Sequence, residues 1–121
     1  MAEGKRFVIG FANERNAPSV SIQPDVVFLA WRVVEDAQGE RSALGLMGPH
    51  TIRLTSHIQS IDAEARTVVT ESGRRYHLHQ APTTDKLVIA AMMLHALTQR
   101  LVVTRDVSDK IWSEMDSVTP Q

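Results

Sequence analysis

Cysteine is absent from the chain, which excludes a disulfide scaffold, thiol catalysis and cysteine-ligated zinc. Neither sign of charge is in excess. Thirteen Lys and Arg stand against fourteen Asp and Glu, a formal net charge of −1. That balance argues against a dedicated, strongly basic nucleic-acid binder and leaves room only for a local basic patch. Long apolar runs are missing too. The longest nearly apolar stretch, residues 87–97, contains His95 and is too short to span a bilayer. Residues 1–10 show no apolar segment with a small-residue cleavage signature, so no signal peptide is expected and the cytoplasm is the default location. The six glycines are scattered and form no phosphate-binding loop. Neither His-Glu-x-x-His, nor an EF-hand loop, nor a Gly-x-Ser-x-Gly elbow occurs.

What remains is an ordinary globular balance, 43% hydrophobic against 22% charged, over 121 residues. This length forms one domain, residues 1–121, and buries a core without staples. Residues 5–12 alternate as a first strand, with Phe7, Ile9 and Phe11 on one face. Residues 13–24 read as a loop in which Val20 and Ile22 add a short edge strand. Residues 25–35 give the strongest strand signal. Val27, Leu29, Trp31 and Val33 lie on one face, and Val26, Phe28, Ala30 and Val34 on the other, as in a central strand covered on both sides. Ala37, Gln38 and Gly39 fit a three-residue hairpin loop with left-handed glycine. That register pairs Glu35 with Arg41 and Trp31 with Gly45, whose bare backbone the indole can cover. Residues 50–62 continue as one bent strand or two short ones. Residues 66–71 and 74–80 form a second hairpin about Ser72 and Gly73. A two-residue loop there pairs Glu71 with Arg74, Val69 with Tyr76 and Thr67 with Leu78.

Pro82 ends the sheet. Thr84 is read as an N-cap, with Asp85 in the first turn of a helix over residues 85–100. Residues 101–104 suit helix or strand. A short helix from Ser108 carries Ile111, Trp112 and Met115 on one face and is expected to cover part of the first helix. The fold class is therefore α+β: an antiparallel β-meander of five or six strands, able to curl toward a barrel, followed by one long apolar helix and a short C-terminal helix.

Three features carry chemistry. His77 and His79 sit two apart on a strand and project from one face, where a third imidazole from His50 or His57 would complete a metal site. Arg66 and Arg75 flank them and repel a cation, so no metal and no cofactor is expected. Arg66, Arg75, His77 and His79, with Arg53 from the neighbouring strand, instead form a basic face able to contact phosphates or an acidic protein. An ordinary solvated strand face has the same composition. The helix with Met92, Met93 and His95 is apolar all round and needs two covers. Its small residues Ala90, Ala91 and Ala96 admit a close neighbour, so a homodimer contact is expected there. Asp36, Asp62 and Asp85 fall at turns or caps, and no catalytic carboxylate pair or triad stands out. Residues 55–78, TSHIQSIDAEARTVVTESGRRYHL, resemble hairpins of small bacterial proteins, some associated with mobile elements. The pattern is generic to alternating hairpins, so it assigns no family and transfers no functional residue. These features fit a non-catalytic protein-interaction module, of the kind a phage or mobile element directs at a host complex, with an unidentified protein partner and no membrane. A nucleic-acid-binding module using the basic face is the alternative. A small enzyme or histidine metal site is a third reading.

Overall fold

Strand propensity in residues 25–36 is strong enough to make strand twice over, but the chain breaks in the middle. The computed structural model describes residues 12–13 and 17–117, and in it this run forms β2 (Asp25–Val27) and β3 (Trp31–Asp36). Val26 and Phe28 are buried before the break and Trp31 and Val33 after it, in one shared cluster. The buried positions thus switch from even to odd numbers across residues 29–30, which no continuous strand allows. Val27 and Leu29, expected beside Trp31 and Val33, are half exposed instead. The break also changes the pairing partner. Phe28 N donates to His77 O at 3.2 Å, whereas Leu29 N donates to Leu46 O and Leu46 N to Ala30 O, each at 2.9 Å.

The other strands are β1 (Ala12–Asn13), β4 (Arg41–Leu46), β5 (Thr51–Asp62), β6 (Thr67–Thr70), β7 (Arg75–His77) and β8 (Val103–Asp106). Seven of them form one path in the order β2-β7-β6-β5-β4-β3-β8, and β1 pairs with β5. The β1–β5 and β2–β7 contacts are parallel and the rest antiparallel. The expected count of five or six strands is therefore low, because β2 and β8 are short strands joined to the sheet only by distant partners. Only three residues separate β2 from β3, a span of at most about 14 Å. The sheet must therefore curl to bring β2, at one end, close to β3 near the other, although its pairing order stays open. The first expected strand falls outside the described residues except at Ala12. Val20 and Ile22 lie in a turn, not an edge strand, and Ile22 is exposed.

The first hairpin has the expected register, Trp31 opposite Gly45 and Glu35 opposite Arg41, with Gly39 at φ +82°. The cover over Gly45 is different: a Cβ there would fall inside the ring of Phe28, not Trp31. The second hairpin is shifted by one residue. Thr67 faces His77, Val68 faces Tyr76 and Val69 faces Arg75, and Thr70 N bonds to Arg74 O. The loop therefore holds Glu71, Ser72 and Gly73, with Gly73 at φ +91°. An added loop residue flips the first strand, so Val68 and Thr70 are buried where Val69 was expected.

Asp85, not Thr84, caps α1 (Lys86–Thr98), accepting from Leu87 N and Val88 N. The helix ends as Arg100 takes φ +65° and Leu101 N and Arg100 N bond back to Ala96 O and Leu97 O. This turn releases residues 103–106 to pair with β3 as β8. The second helix, α2 (Ser108–Ser117), does not lie over α1. Val33 and Val34 are adjacent on β3 and point to opposite faces. Val33 belongs to a cluster with Ile111 and Met115 of α2, and Val34 to one with Met92 and Ala96 of α1. The helices thus cover opposite sides of the sheet. Neither is long and apolar enough to cross a membrane.

Candidate functional site

The parallel β2–β7 contact sets Asp25 opposite Arg75. Arg75 donates from Nε and Nη2 to the two Asp25 oxygens at 2.7 and 2.8 Å, and His77 Nε2 lies 2.9 Å from Asp25 Oδ1. The other His77 nitrogen meets Thr67 Oγ1 at 2.9 Å, and the His79 ring lies 5.6 Å from the His77 ring. The Arg75 bonds, then His77, hold the Asp25 carboxyl far below the usual carboxylate range, and Asp25 in turn raises Arg75. Three of the four expected basic residues thus gather, but around a carboxylate. Arg66 leaves the group. Its guanidinium stands 4.3 Å over the Trp112 ring and bonds Asp116 of α2 at 3.0 Å. Arg53 is buried elsewhere. Asp25 was missed because nothing local in the sequence shows a pairing across fifty residues.

His57 is remote from His77 and His79. It sits among Asp36, Glu40 and Glu71 at 3.5 to 3.8 Å. His50 ends the bend before β5. Among the described residues no group of three or more His, Asp or Glu is arranged to hold a metal ion.

A cavity of about 240 Å³ opens where β5 passes the C-terminal half of α1. Arg53, Arg74, Tyr76, His95, Thr55 and Gln99 contribute to its wall, and no Asp or Glu is among the described lining residues. Arg53, Arg74, Tyr76 and His95 are each at most 5% exposed. Arg74, expected to pair with Glu71, instead turns inward. Its Nε donates to Gln23 O at 2.8 Å and its Nη2 to Pro18 O. Arg53 Nη1 donates to Gln23 Oε1 at 2.9 Å and to the Tyr76 hydroxyl at 3.4 Å. Arg74 lies two residues before Tyr76, on the same inward face of the second hairpin strand.

The third feature is α1 itself. Met92, His95 and Ala96 are buried, while Leu87, Leu94 and Leu97 are 73%, 62% and 68% exposed. Ala90 is exposed between them. The spacing 87, 90, 94, 97 alternates three and four, the seam of a helix that pairs with another helix. No family model, curated protein or solved structure matches this chain.

Proposed function

We propose that this protein is a non-catalytic protein-interaction module whose recognition element is the Leu87–Ala90–Leu94–Leu97 seam of α1, and that the seam pairs first with α1 of a second copy. The exposure of those three leucines carries the reading, because single exposed leucines are common but a register of them along one helix is not. The seam is self-complementary. Two copies run antiparallel about residue 92 set Leu87 against Leu97 at the ends of the seam and the small Ala90 against Leu94 nearer its centre. The same arrangement brings Asp85 at one helix start near Arg100 past the end of the other, and it opposes the helix dipoles favourably. Residues 87–99 include no Asp, Glu, Lys or Arg to repel a neighbour.

Thirteen residues make a seam only about 20 Å long. Such a contact is smaller than the roughly 800 Å² per partner of a standard interface, so pairing depends on concentration. Sedimentation or light scattering across a dilution series should give a mass rising toward twice the 13.5 kDa of the chain. A Leu94→Asp, Leu97→Asp variant should stay folded, since both side chains face solvent, and remain at the single-chain mass. A wild type at the single-chain mass at its highest soluble concentration would remove self-pairing and this role for the seam.

A further inference from the structure

We infer that the cavity between β5 and α1 is a binding site for a phosphate group, free or carried by a small metabolite. Two of its wall residues have hydrogen-bonding capacity that no described residue uses. Arg74 is 5% exposed and always charged, yet among the described residues its side chain meets only the neutral carbonyls of Gln23 and Pro18, through Nε and Nη2. Its Nη1 donates to no described group. A buried cation whose described contacts are all neutral is poorly compensated by them, and an anion is the partner that relieves it. Tyr76 is 2% exposed, and its hydroxyl accepts from Arg53 Nη1 while donating to no described acceptor. An unmade donor of this kind is unfavourable in a protein interior.

Both groups need an acceptor with negative charge and several oxygens. The Arg53 guanidinium and the Ser56 and Ser72 side chains line the same space. Tetrahedral phosphate matches several donors arriving from different directions better than a planar carboxylate does, and guanidinium forks suit its oxygens. At about 30 Å³ per water, the cavity has the volume of about eight waters. That admits phosphate with a short appendage and is below the size of drug-sized pockets. Exposed Ala17, Ser56, Ser72 and Gln99 on the rim give a path from solvent.

Calorimetric titration of the full chain with inorganic phosphate and with glycerol 3-phosphate, at constant ionic strength and with acetate as comparison, tests the site. Saturable binding of one phosphate per chain is expected, with a rise in thermal midpoint. Tighter glycerol 3-phosphate identifies a phosphorylated metabolite, and equal affinity identifies the free ion. Arg74→Gln and Tyr76→Phe should each weaken binding about tenfold or more, the effect of losing one charge-assisted hydrogen bond. Phenylalanine retains the ring packed 4.9 Å from Phe28, so that variant decides the matter if Arg74→Gln fails to fold. Absence of saturable phosphate binding, acetate as tight as phosphate, or full affinity in the Tyr76→Phe variant would overturn the assignment.

Discussion

Replacing Gly45 by alanine should destabilise the protein, against the trend for glycine in strands. Glycine within a strand or helix interior is ordinarily worse than alanine by about 0.5–1 kcal/mol, so an open site would gain from the change. At Gly45 the added methyl would fall inside the Phe28 ring. Phe28 cannot simply swing aside. It is 1% exposed, its ring lies 4.9 Å from Tyr76 at 31°, and its own backbone is fixed to His77 O. Overpacking of this kind costs about 1–3 kcal/mol, and the upper end is expected because the clash is with a whole ring. Urea unfolding followed by Trp fluorescence measures the change. A double-mutant cycle then tests its cause. Phe28→Ala alone should cost about 3–5 kcal/mol. In the Gly45→Ala background it should cost less by about 1–3 kcal/mol, since the methyl fills part of the space vacated. A Gly45→Ala variant as stable as wild type, or strictly additive single changes, would show that Phe28 does not seal this strand.

The two tryptophans should differ. Trp31 is fully buried and donates to Gln80 O at 2.7 Å, so Trp31→Ala should cost about 3–5 kcal/mol by urea unfolding. Trp112 is partly buried beneath Arg66, and its alanine variant should cost clearly less; equal or reversed values would contradict this core. Asp25 should leave a signature in acid. Its carboxyl is held low by Arg75 first and His77 second, and a lowered acid pKa gives stability present above about pH 4 and lost as pH falls through the folded value. The stability gap between wild type and Asp25→Asn should therefore be widest above pH 4 and close as pH falls further below it, as read by thermal unfolding; a gap independent of pH would exclude the ion pair as its source.

Local rules made the first hairpin legible. A three-residue loop ending in Gly39 and an opposed Glu35 and Arg41 leave one sensible register, which the structure has. The second hairpin had no such arbiter. Two- and three-residue loops both accommodate Ser72 and Gly73, and the shorter one places Val69 inside and Val68 outside, the reverse of what the structure has. That register also set Arg74 against Glu71, whereas its guanidinium is buried against the carbonyls of Gln23 and Pro18, which no local signal shows. The Asp25–Arg75–His77 group was hidden for a different reason, since parallel pairing of β2 with β7 joins segments with no local signal between them. The break at residues 28–30 was masked by composition, because an apolar run on both faces looks continuous even where the buried side changes.

Apolar residues all round α1 now have a separate physical reason on each side. Met92 and Ala96 close the cluster around Val34, Leu44 and Ile52. One residue before Ala96, His95 turns toward the cavity, joined a turn later by Gln99. Leu87, Leu94 and Leu97 remain in solvent. Burial against the sheet cannot account for the third side, because β8 and α2 are drawn to β3 and to the opposite face of the sheet. A helix held only by its own sheet would gain solubility from a charge at position 94 or 97 without losing any internal packing. Leucine at both, in register with Leu87, is what the proposed helix pairing requires.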